Sequence, residues 1–314
     1  MVMALLLLPA CETGTQFTVV SQGAERRAAV DRPLSPAGVR RPLIVVLHAA
    51  MFSGALARSE LDLPAMARRA GVALAFPDAE GLVWNDGSLS RSLPQALLAT
   101  SDDLAFLDGL IAALIEDGTA DPAAIHLVGM SSGGMMALRY ACLRADRLAS
   151  VAVFLATMPL EAEQDCRPAR PLDFLMVAGT ADPVMRWTGE VALGGVVLLQ
   201  QRMSVPMSFN FWHRANRCIG PISAQLLPRR GHVAQPDVLV HSAAGCADGV
   251  RTLLYEVRGG GHRLVPGDDW TLLRLLGRST PDIDPGALLL EFALERSRIP
   301  GMQRGSVRVL SAEQ

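Results

Sequence analysis

Residues 125–134 read IHLVGMSSGG, a run of branched apolar residues that passes directly into small residues and then into a helix-forming segment. This pattern is typical of a buried strand that ends in a sharp turn and continues as a helix, with Ser131 at the turn. Gly129 and Gly133 stand two residues to either side, where neighbouring backbone would leave no room for a side chain. Ser131 is therefore predicted to be a nucleophile, and the backbone N–H of Ser132 is predicted to help hold an oxyanion.

A nucleophilic serine needs a base that takes its proton and an acid that orients the base. In a strand, turn and helix of this kind the partners follow the serine along the chain, each in a loop after a buried strand. The run at 174–178 is followed by Asp182, and the run at 253–257 is followed by three glycines and His262. Taken singly, Asp182 is also explained as a turn residue before proline and His262 as a surface-loop histidine. Their order along the chain predicts that Asp182 is the acid and His262 the base.

A second oxyanion donor is expected from the loop after the apolar run 43–47. That run is followed by His48 and two alanines, so a backbone N–H of Ala50 or Met51 is predicted to point at the oxyanion, with His48 in a structural role. His126 alternates within the strand that precedes the turn and is predicted to pack against a helix.

Short apolar runs alternate with segments of helical periodicity, which predicts an α/β fold with a doubly wound, mostly parallel sheet. Residues 31–314 are predicted to form a single catalytic domain, preceded by an export signal and tail over residues 1–30. Residues from about 187 to 245 are interpreted as an irregular excursion beside the active site; it contains His213, His232 and His241. The predicted strands are 43–47, 72–76, 125–128, 149–155, 174–178 and 253–257, and the predicted helices are 103–116 and 134–144.

Composition excludes several classes of function. The chain of 314 residues has a formal net charge of -2 and no basic block, which argues against a nucleic-acid partner. The cysteines and histidines do not show metal-ligand spacing, so neither a metal nor another cofactor is expected. The apolar stretch at residues 2–9 is too short to span a bilayer.

The N-terminal segment and the cysteines favour a secreted or cell-envelope location. Residues 8–11 read LPAC, which resembles a bacterial lipobox, so that Cys11 is either lipidated or removed with an ordinary cleaved signal. The remaining four cysteines are Cys142, Cys166, Cys218 and Cys246, an even number that suits disulfides in an oxidising compartment, with three possible connectivities.

Seven ordered segments between Pro42 and Leu294 resemble the polyhydroxybutyrate depolymerase and feruloyl esterase group of α/β-hydrolases, particularly its exported lipoprotein-like bacterial branch. The segments are LIVVLHAA, AFPDAEGLVWNDG, SDDLAFLDGLIAAL, DPAAIHLVGMSSGGMMALRYAC, CRPARPLDFLMVAGTADPV, FWHRANRC and LLYEVRGGGH. The resemblance implies the α/β-hydrolase fold, with Ser131, Asp182 and His262 at the family's catalytic positions. It also implies that Cys218 pairs with Cys246, which leaves Cys142 for Cys166.

The resemblance implies a serine esterase that forms an acyl-enzyme. Without a polymer-binding module, we expect soluble oligomers or small esters as substrates. The alternatives are a feruloyl or acetyl-xylan esterase or a peptidase of the same fold, and an exported binding protein that has lost turnover.

The sequence departs from the family pattern at two places. Ala49 replaces the glycine that usually follows the oxyanion-loop histidine, and the loop after His262 is one residue longer and lacks the usual tryptophan. Trp84 could offer a flat apolar surface to a substrate or could be packed within its own loop.

Overall fold

The computed structural model describes residues 14–33, 39–87, 101–193, 196–229, 236–264 and 273–296. Its strands are β1 (Thr15–Ser21), β2 (Ala24–Asp31), β3 (Arg41–Leu47), β4 (Ala73–Pro77), β5 (Ala120–Met130), β6 (Ser150–Phe154), β7 (Asp173–Gly179), β8 (Glu190–Leu193), β9 (Val196–Gln201), β10 (Ile222–Leu226), β11 (Asp237–Ala243) and β12 (Thr252–Arg258). Its α-helices are α1 (Gly54–Glu60), α2 (Leu63–Ala70), α3 (Asp103–Glu116), α4 (Ser132–Arg144), α5 (Ala162–Asp165), α6 (Val205–Ala215) and α7 (Pro285–Arg296).

Ten of the described strands form one sheet in the order β1-β2-β4-β3-β5-β6-β7-β12-β11-β10, and β8 pairs with β9 separately. The six strands from β4 to β12 in this order run parallel, whereas the two at each end are antiparallel. The predicted α/β class with a mostly parallel sheet is confirmed, and each of the six predicted strands corresponds to one of the parallel strands.

Strand β3 illustrates why continuous apolar runs form the centre of the sheet. Alternate side chains point to opposite faces of a strand, so an element covered on both faces must be apolar throughout. Leu43, Val45 and Leu47 pack in the core that includes α3 and α4. Ile44 and Val46 pack in the opposite core, which includes α2 and α7. Two helical layers therefore hold the central strands rigid, and the carboxyl ends of these strands form one edge.

The sequence prediction differs from the structure at the N-terminal boundary. The sequence predicts a signal and tail over residues 1–30, but residues 15–31 form the hairpin of β1 and β2. Strand β2 pairs with β4 from Ala28 opposite Pro77 to Asp31 opposite Leu74. The domain therefore includes this hairpin. Ala28 and Val30 are buried, which explains why the hairpin lies on the sheet.

The predicted irregular excursion at 187–245 is largely regular. It contains the β8–β9 hairpin, helix α6, and the antiparallel strands β10 and β11 that extend the sheet beyond β12. Within the described residues, none of the helices is long and apolar enough to cross a membrane.

Candidate active site

The turn between β5 and α4 places Ser131 at the carboxyl edge of the sheet. Ser131 has φ 51° and ψ -116°, a backbone conformation that residues other than glycine rarely adopt. Its N–H donates to the carbonyl of Phe154 at 2.9 Å. A Cβ atom on Gly129 would lie 2.1 Å from the carbonyl oxygen of Gly133, and one on Gly133 would lie 2.4 Å from that of Leu47. Glycine is therefore required at both positions, for the steric reason that the sequence predicted.

The structure brings Ser131, His262 and Asp182 together. His262 Nε2 lies 3.0 Å from Ser131 Oγ, and His262 Nδ1 lies 2.7 Å from Asp182 Oδ2. The other carboxylate oxygen of Asp182 accepts the backbone N–H groups of Val184 and Met185, both at 2.8 Å. An ionised carboxylate only accepts hydrogen bonds, so Nδ1 of His262 carries the proton and Nε2 is left to accept from Ser131. This is the tautomer that a general base requires.

The loops that carry the acid and the base lie backbone to backbone. The N–H of Ala181 donates to the carbonyl of Gly260 at 2.9 Å, and a Cβ atom on Gly179 would lie 2.3 Å from that same oxygen. The N–H of His262 in turn donates to the carbonyl of Leu276 at 2.6 Å. The glycines before His262 allow this close approach, which fixes the histidine backbone beside β7.

Two of the predicted oxyanion donors, the N–H groups of Ser132 and Ala50, have no backbone acceptor among the described residues. Ser132 is the first residue of α4, so its N–H has no acceptor within the helix, and the positive end of the helix dipole adds to it. The N–H of Ala50 has no acceptor among the described residues. The N–H of Met51, by contrast, donates to the carbonyl of Leu82 at 2.7 Å and cannot also hold an oxyanion. The prediction of Met51 as a donor is therefore wrong, and Ala50 is the candidate.

Residues 49–52 form a tight turn. The N–H of Phe52 donates to the carbonyl of Ala49 at 3.2 Å, and Met51 has φ 66° at the third position of the turn. A positive φ at that position defines a type II turn, where glycine is the usual residue. Ala49 itself is therefore accommodated without loss of the turn, and the conformational strain lies at Met51.

Trp84 supports this turn through a buried hydrogen bond to the residue before it. It is fully buried, and its indole Nε1 donates to the carbonyl of His48 at 3.0 Å. The N–H of Ala79 donates to His48 Nε2 at 3.0 Å, so Nδ1 carries the proton and donates to the carbonyl of Ala49 at 2.8 Å. Burial also lowers the pKa of His48, which keeps the ring neutral. A fully buried Trp84 offers no surface to a substrate, so that interpretation is wrong and the packed alternative is correct.

Residues 78–84, for which the sequence predicts no such role, support the loop after β3 (residues 48–54, the oxyanion loop). Asp78 Oδ1 accepts the N–H of Gly54 at 2.7 Å, and the Leu82 carbonyl accepts from Met51. Residues 78–84 start directly after β4, next to β3 in the sheet. That adjacency was the available signal, because neighbouring parallel strands bring the loops at their carboxyl ends together.

Two further histidines, His126 and His241, have polar contacts with neighbouring strands of the sheet. His126 is buried in β5 and its Nδ1 lies 2.7 Å from Ser150 Oγ on β6, so its polar partner is a neighbouring strand. Burial, followed by the positive charge of Arg251, lowers the pKa of His126 to about 3. His241 lies in β11, and its Nε2 is 2.7 Å from Glu256 Oε2 on β12.

The four cysteines form the two pairs that the resemblance implies. Cys142 is joined to Cys166 and Cys218 to Cys246. Such bonds persist in oxidising compartments. Cys11 lies outside the described residues. Within the part of the chain that the structure describes, no three His, Cys, Asp or Glu side chains are grouped so that they could hold a metal ion.

The solved acetyl xylan esterase from Aspergillus awamori superposes with a TM-score of 0.56, covering 79% of this chain and 94% of that one at 12% sequence identity. This chain has the α/β-hydrolase fold. At such low sequence identity, the likeness to the acetyl xylan esterase shows the fold alone. No profile of a known protein family matches the sequence.

Two relatives share sequence with this chain. "Putative esterase NocK" from Nocardia uniformis subsp. tsuyamanensis is 32% identical over 182 residues, which are 56% of this chain and 51% of that protein. "Feruloyl esterase B" from Piromyces equi is 27% identical over 230 residues, which are 70% of this chain and 39% of that protein. The chain thus spans about half of the first relative and 39% of the second.

Proposed function

We propose that this protein is a serine hydrolase of carboxylic esters. The observation that carries the proposal is the continuous hydrogen-bonded series from Ser131 through His262 to Asp182. The N–H groups of Ser132 and Ala50, which have no acceptor among the described residues, are the oxyanion donors that we propose. The names of both relatives and of the superposed structure, all esterases, support the same class of reaction.

In the first half of the reaction, Ser131 Oγ attacks the ester carbonyl carbon and its proton moves to His262 Nε2. The carbonyl oxygen becomes an oxyanion that accepts the N–H groups of Ser132 and Ala50. Asp182 stays ionised and stabilises the imidazolium. When the tetrahedral intermediate collapses, the bond to the alcohol breaks and His262 gives its proton to the departing oxygen.

In the second half, water replaces the alcohol. His262 takes a proton from the water, which attacks the acyl carbon, and the same two N–H groups hold the second oxyanion. Collapse breaks the bond to Ser131 Oγ, which regains a proton from His262. The acid product leaves and the enzyme returns to its starting state, with no cofactor consumed.

The substrates that we propose first are soluble hydroxybutyrate oligomers and small esters, on the strength of the sequence resemblance. Feruloyl or acetylated xylan esters are the second candidate, favoured by the names of one relative and of the superposed structure. Initial rates on a panel of hydroxybutyrate oligomers, feruloyl esters, acetylated sugars and peptides distinguish these substrate classes. Clearing of a suspension of intact polyester would contradict the preference for small substrates.

The decisive experiment is covalent labelling of the purified protein with a fluorophosphonate, read by intact mass. The proposal expects one adduct on the wild type and none on Ser131→Ala. A Ser132→Ala variant is the matched control, because it removes a neighbouring hydroxyl but keeps the backbone N–H, and it should label. No adduct on the wild type would favour a non-catalytic binding protein of the same fold, and an equal adduct on Ser131→Ala would show that the probe reacts at another residue. Either result would overturn the esterase proposal.

We further propose that the protein is exported, either secreted or held at the cell envelope through a lipid on Cys11. The two disulfides support an oxidising compartment. Mass spectrometry of the mature N-terminus in the native host tests the lipid. A diacylglyceryl modification on Cys11 supports the anchor, and an unmodified or absent Cys11 supports an ordinary cleaved signal.

A further inference from the structure

The outer edge of β10, the last strand of the sheet, is not paired with any other strand among the described residues. It pairs with β11 from Ile222 opposite Ala243 to Leu226 opposite Leu239. The N–H of Leu227 donates to the carbonyl of Val238, and the N–H of Ala244 donates to the carbonyl of Pro221. Antiparallel pairs alternate between bonded and non-bonded, so the odd-numbered residues face β11. The N–H and C=O groups of Ile222, Ala224 and Leu226 therefore point away from β11, toward the outer edge of the sheet.

The side chains of these same residues are apolar. Ile222 is 41% exposed and Leu226 is 52% exposed, and with Ala224 they lie on one face of the strand. The sequence from 219 to 227 reads IGPISAQLL and contains no charged residue. Edge strands usually carry charges or prolines at such positions to prevent pairing with another chain. This edge has no such protection between Pro221 and Pro228.

The base of the β10–β11 hairpin is held firmly. The disulfide between Cys218 and Cys246 closes the chain just before β10 and just after β11. Beside it, the buried side chain of Asn216 accepts the N–H of Leu172 and donates to the carbonyl of Leu172 and to Thr252 Oγ1, all at 2.8 Å. A strand anchored in this way loses little conformational freedom when it binds, which favours association.

We propose that β10 pairs antiparallel with β10 of a second copy of this chain, about a twofold axis at Ala224. In that register Ile222 lies opposite Leu226 of the partner, and Ala224 lies opposite its own copy. All three pairs are of the bonded kind, because their amide groups point outward, and they supply six N–H···O bonds. The apolar side chains of both strands then share one face, so the surface is complementary to itself, as a twofold interface requires.

The flanking residues select this register. A slip of two residues in one direction places Pro228, which has no N–H, opposite Ile222. A slip in the other direction uses Gly220, whose N–H already donates to the carbonyl of Ala244 at 2.9 Å. The interface is short, so we expect a weak dimer. Because β10 is five strands from β5, roughly 24 Å at the spacing of paired strands, pairing leaves Ser131 accessible.

Sedimentation over an approximately hundredfold range of protein concentration tests the proposal. The mass of the wild type should rise from 33.5 kDa toward twice that value. Ala224→Pro removes an outward N–H without touching the bonds to β11, a substitution that an edge strand tolerates, and it should stay monomeric. Ala224→Lys, which sets two like charges opposite each other at the axis, should also stay monomeric. Gln225→Lys is the matched control: it adds the same charge on the other face and should still dimerise.

Oxidative cross-linking identifies the register. In a Cys11→Ser background, Ala224→Cys should form a covalent dimer, because paired Cα atoms lie about 5.5 Å apart, whereas Ser223→Cys should not. A wild type that stays at 33.5 kDa throughout, or an Ala224→Pro protein that dimerises equally well, overturns the proposal. Neither readout depends on turnover, so the result is independent of the proposed esterase activity.

Discussion

The role of Trp84 can be tested by Trp84→Phe, which keeps a buried aromatic ring but removes the N–H that bonds the His48 carbonyl. An unsatisfied buried carbonyl costs about 1–3 kcal/mol, and the smaller ring adds roughly 1 kcal/mol for the space left behind. The oxyanion loop keeps two other contacts, from Ala79 to the His48 ring and from Met51 to Leu82. We therefore expect kcat to fall about tenfold, below the 10²-fold to 10³-fold loss of a whole oxyanion donor.

The assay is steady-state hydrolysis of a small chromogenic ester and of a bulky aromatic ester, with the active sites titrated by a fluorophosphonate. If Trp84 positions the loop, kcat falls equally for both esters and KM stays constant. A rise in KM for the aromatic ester alone, with kcat unchanged, would refute this reasoning and restore a contact with substrate.

Trp212→Phe provides the matched control. Trp212 is equally buried, but its Nε1 has no hydrogen-bond partner among the described residues. Its ring stacks on Phe174 near the amino end of β7, away from the carboxyl edge that carries Ser131. The same change of atoms should therefore leave kcat unaltered and cost less stability than Trp84→Phe.

Three further predictions concern stability. Met51→Gly relieves the left-handed conformation at φ 66° and should raise the free energy of unfolding by up to about 1 kcal/mol, measured as a higher urea midpoint; a lowered midpoint contradicts the assignment of strain. Removing the disulfide with Cys218→Ser and Cys246→Ser should reduce the free energy of unfolding by about 2–5 kcal/mol, and an unchanged Tm would show that the hairpin base does not depend on it. Burial lowers the pKa of His126 from 6.5 to about 3 in the folded protein. As the pH falls from 6.5 toward 3, only the unfolded chain therefore binds a proton at this residue. The free energy of unfolding should decrease by up to about 1.4 kcal/mol per pH unit in that range. Denaturant titrations between pH 7 and pH 5 should show a shallower decrease for His126→Asn, and equal slopes would rule out this contribution.

Structure can be predicted from sequence where one local pattern has one physical solution. A strand buried on both faces must be apolar throughout, as β3 and β7 are, so the six parallel strands could be found. Backbone crowding around Ser131 requires glycine, which made the turn visible as a motif. The placement of Asp182 and His262 followed from chain order, because each loop comes at the carboxyl end of a parallel strand.

Features that depend on contacts between residues distant in sequence could not be predicted. Strands β1, β2 and β10 lie at or near the sheet edges and carry many exposed polar residues, so they lack a continuous apolar run. The choice between Ala50 and Met51 depends on the carbonyl of Leu82, more than thirty residues away in the sequence. A single sequence does not indicate which carbonyl will lie opposite a given N–H.

The backbone contact between Gly179 and Gly260 has a consequence for how this centre tolerates change. With no side chain between them, the segments that carry Asp182 and His262 lie in direct backbone contact, and the hydrogen bond from Ala181 to the carbonyl of Gly260 links them. We therefore expect the distance between His262 and Asp182 to change little when residues elsewhere in the molecule are substituted. Ser131 lies on a separate segment, between β5 and α4. We therefore expect distant substitutions to change the distance from His262 Nε2 to Ser131 Oγ before they change the distance from His262 to Asp182.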